Sequence, residues 1–596
     1  MSDSMNRRDW IRVVGAASAA LPLVTHEESP APVAPPEPLP DGTISDLAST
    51  SDVFIPPRGD GYMKFSFDFP EPVVSFGPYR FGFMVFTDEN SYGLDRASLS
   101  AHVTGDTMEV RCDGFVWAGG QQHSKGSLRA TFRRTGSIIE WDVTVAMPHP
   151  VKTVTTVIRD IPRGKVGFGG GGANDRKDDE LLAAYPFGGG DLHGPGAGQS
   201  MGTPLAVVQP ADGRFIAISP LDNRVRPKRF YFQPGESAYR VEAIYEHDGW
   251  RNDTQVTVPR YRIAEGKSFD EAVAPHYDFI ERSFHLPPWE SRADIPKWTR
   301  DLALAVTLHG MHYTGFIFND YAQQLAILRW IATQIPPERV LVFLAAWDGR
   351  YYWDYPNYTV PARMGGEAGF HALISEARKL GFRMMPMFGT NAANRKLPAW
   401  SKIAKGATYK IEGDIYNLNW VDWNNDRHQD GWLTYMNLGA PEWRNWLAGR
   451  IDDVITRFGV DAYFLDIVGG HVNSTNGDMH EGTRQLVATL RAKHPEVLPV
   501  GEMGYDALYE FIGFYQVGTG SRFRKYTRSF QHLSSPAPGR GSSGVHESGF
   551  GRFDNTSMNL FPGALPTLQV VDDTFTKHRA EMTEIIRRAR QRASIT

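Results

Sequence analysis

From Pro287 to the C-terminus the chain alternates short apolar runs with amphipathic stretches, and this alternation limits the folds open to it more than any other feature. LALAVTL (302–308), RVLVFLAAW (339–347), FRMMPMFG (382–389), VDAYFLD (460–466), LPVGEM (498–503) and PTLQVVDD (566–573) read as buried strands bounded by turn residues. Between them, segments around 321–334, 368–381, 441–459, 481–494 and 505–513 space their apolar residues as helices do, and several stop at glycine. FYQVGTG (514–520) and GRFDNTSMNL (551–560) take the places of the sixth and seventh strands, and TFTKHRAEMTEIIRRARQRA closes the chain as a helix. Parallel strands need crossover connections. Eight strand–helix units in about 310 residues predict a (β/α)8 barrel over 286–596.

Residues 52–285 have a different grammar. KFSFDF, RFGFMVF, TMEVRCDGFVWAG, SLRATFRR and IIEWDVTVAM alternate or run apolar in short pieces, with little helical period before Ser268. They predict an N-terminal β-sandwich. Two glycine-rich stretches, 167–175 and 187–198, lack the G-K-[ST] of a phosphate loop and read as long loops. Ahead of the sandwich, Arg7-Arg8 followed by VVGAASAALPLV resembles a twin-arginine export signal over 1–28, which implies a periplasmic or extracellular protein. Residues 29–51 are proline-rich and read as a structureless spacer.

Several function classes fall away. The net charge is −5 and no long basic run is present, so nucleic acid is a poor partner. No segment after the signal is long and apolar enough for a membrane anchor. The single cysteine, Cys112, excludes an internal disulfide and any multi-cysteine metal site, and reads as a small core residue. No G-x-S-x-G elbow lies in the barrel segment.

The chemistry is expected at strand ends, because active sites of such barrels lie at the C-terminal ends of the strands. GVDAYFLDIVGG (459–470) ends an apolar strand on one carboxylate, Asp466, and then gives two glycines. LPVGEM places Glu502 at the same end of the next strand. Adjacent strands lie ~4.8 Å apart, so two such acids can approach the ~5–5.5 Å that suits a retaining glycosidase. One would stay ionised and attack. The other, its pKa raised by burial and by its neighbour's charge, would protonate the leaving oxygen.

Sugar-binding surroundings accompany the pair. WDGRYYWDYPNY (347–358) supplies Trp347, Asp348, Tyr352 and Trp353, and the insertion after the third strand adds Trp400, Tyr409, Tyr416, Trp420, Trp423 and Trp432. Aromatic faces stack on pyranose rings, and nearby polar groups bind hydroxyls. Further rim candidates are His309, His312, Asn391, Asn394, His471, Asn473, Asp572 and Asp573, each of which reads equally as a satisfied loop residue. His546 and Glu547 sit in a glycine-rich stretch that could close over a substrate if it lies near the mouth. Asp422, Asn424, Asp426 and Asp430 resemble a calcium loop, but the glycine and glutamate of an EF-hand are missing.

The span from about 360 to 503 resembles retaining glycoside hydrolases of α-amylase-like architecture. MGGEAGFHALISEARKLGFRMMPM is similar to their approach to strand three, LGAPEWRNWLAGRIDDVITRFGVDAYFLD to their strand four, and LPVGEM to their acid/base strand. By that resemblance Asp466 is the nucleophile and Glu502 the general acid/base. The chain departs from the α-amylases in having Phe464 where they carry an arginine, and in lacking a His-Asp pair after Glu502. Families related to endo-α-N-acetylgalactosaminidases resemble it more, with a β-sandwich ahead of the barrel. The resemblance implies α-linked oligo- or polysaccharide substrates and no organic cofactor. Two other readings compete. A metal-dependent barrel hydrolase would want H-x-H on strand one, where this chain has His309-Gly-Met-His312. A carbohydrate-binding protein without catalysis would need neither acid.

Overall fold

The computed structural model describes residues 37–55, 63–175, 180–186, 199–311, 315–349, 354–390, 392–410, 413–417, 433–516, 521–530, 564–571 and 574–595. Its C-terminal half is built on eight parallel strands: β1 (Leu304–His309), β2 (Val340–Ala345), β3 (Arg383–Gly389), β4 (Ala462–Asp466), β5 (Leu498–Glu502), β6 (Phe514–Gln516), β7 (Arg528–Phe530) and β8 (Thr567–Val570). Each pairs in parallel with its sequence neighbour from β1 to β7, and β8 returns to pair with β1. A parallel bridge between Phe530 and Leu565 joins β7 to the approach of β8, so among the described residues the β7–β8 seam alone lacks a full ladder.

The seventh strand is not where the periodicity placed it. β7 has only 3 residues, too few for a pattern to be read, and lies in YTRSFQHL. GRFDNTSMNL (551–560) lies outside the described residues.

Helix α1 (Phe269–Ser283) precedes the barrel. α2 (Tyr321–Ala332), α3 (Gly366–Leu380), α4 (Pro441–Phe458) and α5 (Met479–Lys493) follow β1 to β4, and α6 (Arg579–Arg592) follows β8. Their ends are written locally. Asp320 and Gln323 form a reciprocal capping box on α2, and α4 starts on Pro441 and ends at Gly459 in the left-handed region. Where a helix is expected over 505–513 the chain makes a 3-10 turn, Asp506–Glu510. Ala507, Leu508, Tyr509, Phe511 and Ile512 are all buried, so this segment has no polar face to present as a surface helix.

Among residues 44–266 the described strands form two almost wholly antiparallel sheets of 11 and 8 strands. They face each other across shared aromatics. Phe81 from one sheet lies 4.7 Å from Phe132 and 5.4 Å from Trp141 of the other, and the Trp141 indole donates across the gap to Thr156 Oγ1 at 3.1 Å. Cys112 is buried in the same core. The first strand, Ile44–Ile55, pairs along its length with Met63–Phe76, so the sheet begins inside the segment that reads as a spacer. No described helix is long and apolar enough to cross a membrane.

Candidate active site

Which strand residues point into the barrel follows from register. Phe343 of β2, Phe464 of β4 and Phe530 of β7 lie on non-adjacent strands yet meet, with ring centroids 4.5 to 6.5 Å apart, so all three point inward. Side chains alternate along a strand. Asp466, two residues beyond Phe464, therefore also points inward, at the mouth. Gln516 pairs with Phe530 and Glu502 pairs with Gln516, so both share that side. The β4–β5 ladder runs from Ala462–Leu498 to Leu465–Gly501, and Asp466 and Glu502 are the next residue on each strand. The same logic turns Thr307, His309 and Gln569 inward on β1 and β8.

Asp466 is 7% exposed and Glu502 half-buried. Glu502 Oε2 accepts the backbone N–H of Ile467 at 2.9 Å. The Asp466 carbonyl accepts from both Thr390 N–H at 3.3 Å and Thr390 Oγ1 at 2.5 Å, and Thr390 is held in turn by the Trp443 indole at 2.8 Å. Both acids are thus fixed through the backbone. Tyr358 lies beside them, fully enclosed. Its hydroxyl donates to the Gly389 carbonyl at 2.9 Å and accepts the Gly389 N–H at 3.0 Å. Burial, and then the charges of Asp348 and Asp466, hold its phenol well above the ordinary range.

The backbone turns sharply just past three strand ends. Ala346, Ile467 and Met503 each follow the last residue of β2, β4 or β5, and each has φ of +55°. This left-handed conformation is costly for a β-branched residue such as Ile467, and strain of that kind gathers at functional sites. Gly469 answers why glycines follow Asp466. A Cβ there would sit 2.8 Å from Met503 Cβ and 2.9 Å from Met503 backbone atoms, so only glycine lets the β4 loop lie against the β5 loop.

Asp348 is 4% exposed near the mouth, and its charge raises the phenol of Tyr321, for which burial is the larger cause. His309 ends β1 with its ring edge-on to Phe318 at 4.6 Å. Trp347 is in the core and not at the rim. Its indole donates to the Met387 carbonyl at 2.8 Å and stacks on Phe370 of α3 at 5.0 Å, because the left-handed turn at Ala346 folds it back under the mouth. Tyr416 is buried too, edge-on to Tyr435.

His471 is buried beside Lys228 and His480. Burial, then those two neighbours, bring its imidazole down to about 3. Its Nδ1 has no hydrogen-bond partner among the described residues. Asn473 binds the connection between two strands of the N-terminal sheets, Ala238–Glu246 and Gln255–Gly266, taking the Gly249 N–H at 2.7 Å and donating to the His247 carbonyl at 2.8 Å. Tyr352, Trp353, His312, Asn391, Trp420, Trp423, Trp432, His546, Glu547, Asp572, Asp573 and the calcium-like loop lie outside the described residues. Among the described residues no group of three or more His, Cys, Asp or Glu side chains is arranged to hold a metal.

Sequence reasoning missed the inner amides and hydroxyls. Gln516, Gln569 and Thr307 are all buried and inward-facing, and Asn319 donates to the carbonyls of His309 and Val570 at 3.4 Å each. Two-residue parity counted back from the paired strands would have found the first three.

No family model matches the chain, and no curated protein matches its sequence. Solved structures do match its fold. An α-N-acetylgalactosaminidase from Bifidobacterium bifidum, in complex with GalNAc, superposes with a TM-score of 0.58 at 14% identity, covering 79% of each chain. Its ligand-free form gives 0.56 at 13% identity over 87% of this chain and 92% of that one. An α-galactosidase from Geobacillus stearothermophilus gives 0.46 at 10% identity, over 87% and 74%. At such identities the Bifidobacterium likeness establishes a shared fold.

Proposed function

We propose that this chain is a retaining glycoside hydrolase acting on α-linked sugars, with Asp466 as nucleophile and Glu502 as general acid/base. One observation carries the reading: Asp466 and Glu502 are the last residues of adjacent barrel strands, one step beyond the paired Leu465 and Gly501, and the Glu502 carboxylate is held by the N–H of the residue after Asp466. Neighbouring strands ~4.8 Å apart bring such a pair into the range of double displacement and leave less room than the ~6.5–9.5 Å of an inverting pair. β6 ends on the amide Gln516, which cannot donate a carboxylic proton.

In the first step Asp466 attacks the anomeric carbon as the glycosidic C–O bond breaks, and Glu502 gives its proton to the departing oxygen. In the second, Glu502 takes a proton from water, the hydroxide oxygen attacks the anomeric carbon, and Asp466 leaves as carboxylate. The fold shared with an α-N-acetylgalactosaminidase makes aryl α-N-acetylgalactosaminide the first substrate to try.

The domain reading belongs to the same proposal. Residues 1–28 direct export by a twin-arginine signal to the periplasm or beyond, and 286–596 are the catalytic barrel, behind N-terminal sheets whose first strand already starts at Ile44.

The test is a panel of aryl α- and β-glycosides with Asp466→Asn and Glu502→Gln beside the wild type. Wild type should release aglycone from one α-glycoside. Asp466→Asn should be silent, and Glu502→Gln should lose on the order of 10²–10⁴ in kcat. A fluorinated glycoside that traps the covalent intermediate should label the peptide carrying Asp466 in mass spectrometry. Wild-type-like release by Asp466→Asn would sink the assignment.

A further inference from the structure

The loop after β5 is tied to the N-terminal sheets close behind Glu502. Asp506 is fully buried. Its Oδ1 accepts from the Tyr185 hydroxyl at 2.7 Å and from the Ala507 N–H at 2.7 Å, and its Oδ2 accepts from the Thr203 hydroxyl at 2.8 Å. Its own N–H donates to the Gly202 carbonyl at 2.8 Å. Thr203 spends its proton on Asp506, so its oxygen accepts from His276 Nε2 of α1 at 2.7 Å. Tyr185, Gly202 and Thr203 all belong to the N-terminal half.

The tether from Asp506 back to Glu502 is short and has little slack. Met503 is in the left-handed region, and a Cβ on Gly504 would lie 2.7 Å from the Tyr509 ring and 2.9 Å from the Tyr515 ring. Tyr505 is held as well, its hydroxyl 2.8 Å from His480 Nδ1 and its ring edge-on to Tyr185 at 6.0 Å. The loop after β4 is gripped from the same side, since Asn473 binds Gly249 and His247. The N-terminal sheets therefore hold both loops that follow the two acids.

We propose that Tyr185 and Thr203, acting through Asp506, are positioning residues that aim Glu502 as the proton donor, so that the N-terminal sheets are a working part of the active site. The inference rests on the reading of Glu502 as general acid. A mis-aimed acid harms a substrate in proportion to its need for a proton. Loss of this clamp should therefore slow glycosides with poor leaving groups and spare those whose aglycone departs unaided.

The experiment uses the full chain and two α-glycosides of the sugar that wild type cleaves, one with a dinitrophenyl and one with an alkyl aglycone. kcat/KM, which reports the first step, is measured for wild type, Thr203→Val, Tyr185→Phe, Thr203→Ser and Glu502→Gln, with a melting curve for each. Thr203→Val and Tyr185→Phe are expected to lose on the order of 10- to 100-fold on the alkyl glycoside and about twofold or less on the dinitrophenyl glycoside. Thr203→Ser, which keeps the hydroxyl, should restore the alkyl activity. Equal losses on both substrates, or none on either, would overturn the proposal. Tyr185→Phe removes a single oxygen and keeps the question answerable if Thr203→Val does not fold. Glu502→Gln separates the two levels: if it shows no leaving-group difference, the reading of Glu502 fails; if it does and the clamp variants do not, only the clamp fails.

Discussion

Glu502 Oε2 accepts the N–H of Ile467, the residue directly after Asp466, at 2.9 Å. Glu502 is thereby oriented by the turn that follows Asp466, and whatever moves that turn moves both acids. Gly469 lets the turn sit against Met503. A methyl group there would press on backbone atoms that cannot swing aside. Gly469→Ala should cost about 1–3 kcal/mol by overpacking and lower kcat/KM by at least tenfold. Gly449 is the control. It is exposed in the middle of α4, and a methyl group added there would meet nothing within 4 Å, so Gly449→Ala should stabilise by roughly 0.5–1 kcal/mol and leave activity unchanged. Thermal melts and initial rates check both. A Gly469→Ala enzyme of full activity would show that the two loops do not depend on each other.

If Glu502 is the acid/base, removing it opens a route for a foreign nucleophile. With a dinitrophenyl α-glycoside, Glu502→Ala can still form the glycosyl-enzyme on Asp466, because that aglycone leaves without a proton, and then stalls for want of a base. Azide needs no base. It should accelerate turnover and yield the α-glycosyl azide, identifiable by NMR, by attack on the carbon that Asp466 holds. A β-azide, or no azide product, would count against double displacement.

Trp347 separates fold from site. It is wholly buried, stacked on Phe370, and its indole satisfies the Met387 carbonyl. Trp347→Ala should cost about 3–5 kcal/mol. Trp347→Phe, a smaller loss, should lower the melting temperature and leave KM unaltered. A large rise in KM for Trp347→Phe with an unchanged melt would return the ring to the sugar site.

The parts of this molecule that are legible in its sequence are those with a local cause. Strand-like runs ending in a single acid point to Asp466 and Glu502, because a charge at the end of a buried strand has few structural uses. Helix ends at Gly381 and Gly459 are equally plain. β7 escapes a periodicity reading because a 3-residue strand has no period. Trp347 reads wrongly as a rim residue because a count of aromatics carries no direction, and the turn at Ala346 reverses it. Gln516 and Gln569 need inter-strand register, which only pairing reveals. Asn473 and Asp506 find their partners more than 220 residues away in sequence, and no spacing rule reaches that far.

Acid should unfold the protein through histidines that it buries uncharged. His276 and His471 are both brought down to about 3, by burial first in each case, with Arg262 the further cause for His276, and His480 and Lys228 for His471. Their unfolded value is 6.5. Below that pH the unfolded chain binds two protons that the native protein refuses, so these two residues favour the fold fully above 6.5 and progressively less as pH falls toward 3. Asp506 opposes them. Burial pushes it up to about 6, against which Tyr185, Thr203, Ala507 and Lys228 pull down, so the native state holds one proton that the unfolded state releases near 3.8. His480 is brought down as well, to about 4, by burial first, and adds a third refused proton. Between about pH 4 and 6 the balance among these four is two protons, worth ~2.7 kcal/mol per pH unit of lost stability on acidification. His471→Gln removes one of the three histidines while leaving Asp506 in place. Its stability should therefore decline about half as steeply as that of wild type, as read from urea midpoints between pH 4 and 6. Parallel curves for the two proteins would mean that His471 is protonated in the folded state.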